Sequence, residues 1–193
     1  MKRWVKVREE TYAIKLLADH ASYPDDATFC LKPFANPNID AEIKFANEKF
    51  NVQITIADPV WNGQNGGYDH RLVMEALNSQ GVVIGSSSMH RENGKIVSGL
   101  PVKSFNQEFE GCRQGLIAAL RRKLRSRAED CKLLIHARGY SMHTMDFSLA
   151  NLADSAIREL GAEINNSAFD EIFVVDEGDD QFFAYSCKRQ ARC

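Results

Sequence analysis

Apolar residues recur along this chain with two different periods, and each change of period marks a change of element. Tyr12, Leu16, Leu17 and Ala21 recur at helical spacing, which predicts a first helix from Glu9 or Thr11 to about Ser22, stopped by Pro24-Asp25-Asp26. Ala27 to Leu31 reads as a short strand ended by Lys32-Pro33, and Phe34 to Asn38 as a turn-rich connection. Period two then takes over. In Ile39 to Phe45 the apolar set is Ile39, Ala41, Ile43 and Phe45, so Asp40, Glu42 and Lys44 share the opposite face. In Asn51 to Asp58 the apolar set is Val52, Ile54 and Ile56, with Gln53 and Thr55 opposite. The connection Ala46 to Lys49 suits an antiparallel hairpin, which would lay the two polar faces side by side.

Pro59 to Gly67 is a Gly/Asn-rich loop, and a helix is expected from the N-cap Asp69 through Leu72, Val73, Ala76 and Leu77 to a stop at Gly81. Val82 to Met89 and Lys95 to Leu100 flank Asn93-Gly94, a strong hairpin signal. Residues 59–104 thus read as an insertion between core elements. A long helix follows from about Asn106 to Ala128, then an apolar run from Cys131 to His136 typical of a central strand. Asp146 to Leu160 is amphipathic and closed by Gly161, Glu171 to Val175 is a strand, Asp176 to Asp180 a turn, and Phe182 to Ser186 a last strand. The order predicts an α/β (α+β) fold with a mixed central sheet flanked by helices. It is expected as one domain over residues 1–193, with a core of 9–58 and 106–187.

Composition narrows the class of protein. Hydrophobic content of 44% and charged content of 26% over 193 residues are those of a globular chain able to bury its own core. A net charge of −2 gives no global attraction to nucleic acid, so any such contact needs a local basic patch. Met1 to Arg8 carries charges with no apolar stretch behind it, so neither a secretory leader nor a membrane span is expected. Cys30, Cys112, Cys131, Cys187 and Cys193 show neither C-x-x-C pairing nor zinc-ligand spacing, which suits reduced thiols in the cytoplasm.

The polar hairpin face carries the chemical lead. Asp40 beside Gln53 and Thr55 is an oxygen-rich set suited to a hard cation such as Mg²⁺, provided Glu42 or a substrate phosphate adds charge. The bland alternative is the wet face of a half-exposed hairpin. In the long helix, Phe109, Cys112, Leu116, Ile117, Leu120 and Leu124 form one stripe at about 100° per residue. Lys123 falls within that arc, and a lysine on a sheet-facing side needs a carboxylate partner or a route to solvent. Arg121, Arg122 and Arg125 fall outside it, as phosphate contacts or simply as cations favoured at a helix C-terminus.

With Asp40 preceded by Asn38-Ile39, Gln53-Ile54-Thr55 on the next strand, and helix, three strands, helix, strand in order, the core resembles the PD-(D/E)xK nuclease superfamily. That family places an acid on its second core strand and (Asp/Glu)-x-Lys on the third. The resemblance covers roughly residues 9–58 and 106–175. It implies metal-assisted phosphodiester hydrolysis of DNA, with Asp40, Gln53, Thr55 and Lys123 as the catalytic set. Asp40, Gln53 and Glu10 would be the Mg²⁺ ligands, and Arg121, Arg122 and Arg125 the nucleic-acid contacts. Two departures stand out. Glutamine replaces the second acid, as the superfamily is known to show, and threonine replaces the lysine that orients or activates the attacking water. Some members take that lysine from the following helix, the role open to Lys123. The alternative is a catalytically inactive binding or immunity protein on the same scaffold, acting through a protein partner; a homodimer is compatible with either.

Other motifs point less far. Asp176 to Asp180 lacks the ligand spacing of an EF-hand and suits a hairpin turn. His70, His90, His136 and His143 show no metal-ligand spacing, Ser86 to Ser88 has no nucleophile-elbow context, and Gly63 to Gly67 lacks the Lys-Ser/Thr of a phosphate loop. Trp61 and Tyr68 suit base stacking or burial equally.

Overall fold

The computed structural model describes residues 2–21, 23–36, 39–45, 48–61, 64–65, 89–93, 95–98, 105–125, 131–138, 148–176 and 182–187. Helix α1 spans Lys2–His20. Strands β1 (Thr28–Asn36), β2 (Ile39–Phe45) and β3 (Glu48–Ala57) follow it as an antiparallel meander. Within the excursion lie the small hairpins β4 (Val60–Trp61) with β5 (Gln64–Asn65) and β6 (Met89–Glu92) with β7 (Lys95–Ser98). The chain continues as α2 (Phe105–Leu124), β8 (Cys131–Ala137), α3 (Leu149–Glu159), α4 (Gly161–Asn165), β9 (Phe169–Val175) and β10 (Phe182–Ser186).

Six of these strands form one mixed sheet in the order β1-β2-β3-β8-β9-β10. β3, β8 and β9 run parallel, and β10 returns antiparallel to β9. A parallel neighbour demands a long crossover, which α2 supplies between β3 and β8. Leu133, Leu134, Ile135 and Ala137 of β8 are all fully buried, the signature of a strand covered on both faces. On one face Ala13, Ile14 and Leu17 of α1 pack on Ala41, Ile43, Val52, Ile54, Leu134 and Phe173. On the other, Leu116, Ile117 and Leu120 of α2 and Leu152, Ala156 and Ile157 of α3 cover Leu133, Ile135, Ile172 and Val174. The expected mixed sheet flanked by helices is therefore present.

Several boundaries differ from expectation. α1 begins seven residues before Glu9, because its first turns are charged and show no apolar period. β1 does not end at Lys32-Pro33 but runs to Asn36, with a register irregularity between Leu31 and Asn36. It is the edge strand, where a proline's missing N–H need not break a ladder. Gly161 does not close the preceding helix for good. The Leu160 N–H bonds to the Ala156 and Ile157 carbonyls, and the chain re-enters a helical turn at Gly161. Asn93 takes the left-handed conformation (φ 50°) that the Asn-Gly hairpin requires. The helix expected from Asp69 to Gly81 and residues 82–88 lie outside the described residues. No helix among the described residues is long and apolar enough to cross a membrane.

Candidate functional site

Strand pairing places the polar residues of β2 and β3 on one face. Ala41 pairs with Val52, and continuing that register one step sets Asp40 opposite Gln53. Gln53 and Thr55 stand beside Leu133 and Ile135 of β8, under α2. All three polar side chains are buried. Asp40 is fixed by its own hairpin, since the Ile54 N–H donates to its Oδ2 at 2.8 Å. Lys123, in the last turn of α2, brings its Nζ to 3.5 Å from the same oxygen. The sheet-facing lysine thus meets the carboxylate that its position in the stripe called for.

The three arginines grouped by sequence do three different things. Arg122 does not simply point to solvent, since its Nη2 donates to Thr55 Oγ1 at 2.7 Å and to the Ile56 carbonyl at 2.9 Å. Arg121 turns to α3 and bonds Glu159 at 3.3 Å, while Arg125 is exposed. Arg121, Arg122 and Arg125 therefore do not share one partner or one setting. Arg122 belongs to the pocket, because it lies next to Lys123 on the helix turn that overhangs β3.

Glu10 also departs from expectation. It is buried one turn before Ala13 and Ile14 on the stripe that α1 presents to the sheet. That stripe covers the face opposite Gln53 and Thr55, so the sheet separates Glu10 from Asp40. Glu42 shares the face of Asp40, but three lysines hold it, with Lys49 at 2.6 Å, Lys44 at 2.8 Å and Lys32 at 3.7 Å. Hydrogen bonds from Lys44 and then Lys49 bring its carboxyl down to about 2, and the nearby Lys32 adds to this. The carboxylate raises the Lys44 ammonium in turn.

The donor set facing a cation at Asp40 is then one carboxylate and one amide. Among the described residues no group of three or more His, Cys, Asp or Glu side chains is placed to hold a metal ion. Mg²⁺ commonly binds through one or two carboxylates with substrate phosphates completing its shell, so these residues fit the ion only together with a bound phosphate.

The lysines around Glu42 escape the sequence reading. Lys44 and Lys49 stand directly opposite each other in the β2–β3 register, because β3 begins at Glu48 and takes Lys49 out of the expected connection. Lys32 joins them because β1 continues through it to Asn36 instead of ending at Lys32-Pro33. Elsewhere, His136 is buried on the α1 face with its ring 5.6 Å from that of Tyr12. Burial lowers its pKa to about 4, Arg138 adds to this, and Asp58 opposes. It takes no part in the Asp40 pocket. Cys30, Cys112, Cys131 and Cys187 are thiols rather than disulfide halves, and burial pushes Cys131 up to about 12. His70, His143, Ser86 to Ser88, Gly63, Gly66, Gly67, Tyr68 and Cys193 lie outside the described residues, as do residues 177–180 of the acidic turn.

No family model, curated protein or solved structure matches the chain.

Proposed function

We propose that the chain is a divergent, Mg²⁺-dependent nuclease-like protein that hydrolyses DNA phosphodiesters at the Asp40 pocket. The observation behind this reading is the meeting of Asp40, opposite Gln53 on the β2–β3 hairpin, with Lys123 from α2. Asp40 and Gln53 would hold the ion, which supplies charge neutralisation at the phosphate and an activated water when bound. Lys123 stabilises negative charge developing on the phosphate oxygens. Arg122, bonded to Thr55, brings a second cation to the position where the resembled family carries its lysine. Four cysteines outside any disulfide fit a reducing, cytoplasmic setting.

Incubation of supercoiled and single-stranded DNA with Mg²⁺, and with a chelator, tests this. Cutting should require the ion and vanish in Asp40→Asn; cutting that survives both treatments sinks the site. A second reading is favoured by one feature: Glu42, which shares the face of Asp40, is already held by three lysines and so is not available to a metal ion. On that reading the scaffold binds a protein partner without chemistry. No cleavage, no Mg²⁺-dependent thermal shift and a stable partner in a pull-down would select it.

A further inference from the structure

Lys44 and Lys49 face each other across the β2–β3 ladder, and like charges so placed oppose pairing. Glu42 resolves the conflict by bonding both, yet one lysine would satisfy one carboxylate. Here Lys32 is added from β1, so three ammonium groups surround a single buried carboxylate. The lysine side chains stay 38%, 50% and 57% exposed. Each ammonium has three donors, and the shared carboxylate fixes the heads in place while leaving donors for a further anion.

We infer that Lys32, Lys44 and Lys49, organised by Glu42, form a track for the phosphates of a polynucleotide strand leading along β2 to Asp40. The inference rests on the phosphodiesterase reading of the Asp40 pocket. Glu42 and Asp40 lie on the same face two residues apart, about 7 Å along a strand. The track therefore adjoins the pocket, where Lys123 and Arg122 add two more cations. Among the described residues, Lys32, Lys44, Lys49, Lys123 and Arg122 gather around Asp40 and Glu42, a local positive patch on a chain whose net charge is −2. The three lysine heads converge on Glu42, and Lys123 and Arg122 carry the positive charge on towards Asp40, a line of cations that suits a repeating anion better than a compact one. This face presents no aromatic side chain from β1 to β3 among the described residues whose side chains are placed, since Phe29, Phe45 and Phe50 pack with α1's layer. The track would hold the strand through its phosphates.

Fluorescence anisotropy with a labelled mixed-sequence single strand, in chelator and over a salt series, tests the track apart from cleavage. Loss of three phosphate contacts should flatten the slope of log K against log salt by about 2 in K32Q/K44Q/K49Q, independent of oligonucleotide sequence. Because that variant leaves Glu42 without its partners, the single changes K44Q and K49Q are measured too. Each keeps two lysines and should flatten the slope by about 0.7. A wild-type slope in folded single variants overturns the track, as does equal lysine-dependent binding of polyglutamate-competing acidic peptides at the same charge concentration. Lysine-dependent DNA binding without any cleavage upholds the track while removing the hydrolytic reading. Cleavage through Asp40 with lysine-independent binding removes the track alone.

Discussion

The Lys123 ammonium lies 3.5 Å from an Asp40 carboxylate oxygen that also accepts the Ile54 N–H at 2.8 Å, joining residues 83 positions apart. One oxygen thus serves both the local hairpin and the crossover helix. Asp40→Ala should cost roughly 1–3 kcal/mol, because it leaves a buried N–H without its acceptor and Lys123 without its counter-charge. Asp40→Asn keeps an acceptor and should cost less, while either change should abolish the proposed cleavage. Urea unfolding and a plasmid assay on the same preparations check both halves. Lys123→Met should fold, and lose about 100-fold or more in cleavage rate if it stabilises the transition state.

Arg122 joins Thr55 Oγ1 and the Ile56 carbonyl, so α2 is tied to β3 by hydrogen bonds as well as by apolar packing. Thr55→Val removes the hydroxyl acceptor and keeps the shape. It should lower stability by about 0.5–1.5 kcal/mol. Combined with Arg122→Leu, the loss should be less than the sum of the two single losses, since both delete the same bond. A double-mutant cycle by chemical denaturation measures this; strict additivity would show that the bond contributes nothing.

His136 predicts a pH dependence of stability. Burial lowers its pKa from 6.5 to about 4 in the folded chain, so the unfolded chain binds the extra proton between those values. Its stabilising contribution is present above pH 6.5 and is lost as pH falls towards 4. The loss is on the order of 3 kcal/mol across the window. His136→Leu removes the term, so its stability should fall less than wild type between pH 7.5 and 4.5 in urea titrations. Parallel curves for the two proteins would contradict the assignment. Glu42 acts in a lower window, its contribution present above 4.5 and disappearing as pH falls to about 2.

Arg138 clamps the far end of the sheet. Its Nε and Nη2 donate to both Asp58 oxygens at 2.8 and 3.0 Å, and its Nη1 reaches Glu9 on α1. Burial works against its charge, but Asp58 and Glu9 together raise the guanidinium pKa. All three side chains keep some solvent contact, which screens the pairs. Arg138→Ala should therefore cost about 1–2 kcal/mol, below the range for fully buried ion pairs. Arg138→Lys should recover only part of this, since an ammonium cannot make the two-pronged contact with Asp58. Thermal unfolding of the two variants distinguishes them.

Much of the sheet was legible because period two is local. The boundaries of β2 and β10 follow directly from alternation, and the shared face of Asp40 and Glu42 is a consequence of it. Lys123 was legible as well, because its place in the stripe of α2 forced the question of a partner. What escaped was tertiary. Pro33 reads as a terminator unless β1 is known to be an edge, and Arg122 reads as outward unless the tilt of α2 over β3 is known. Glu10 lies on the correct helix for an added acid, but the side of the sheet that α1 covers is not written in its spacing. The lysines around Glu42 required the register of three strands at once.

The crossover between β3 and β8 also divides the pocket in the order of its assembly. Asp40, Gln53, Thr55 and the three lysines lie on one meander, whose pairings close short loops and can form early. Arg122 and Lys123 arrive only when α2 docks, through contacts spanning 66 to 83 residues. A growing chain that has reached the end of the meander therefore carries the acid and its neighbouring lysines before the helix cations exist. On the proposed reading, the means to hold an anion would precede the means to act on one, and docking of the crossover helix would complete the site.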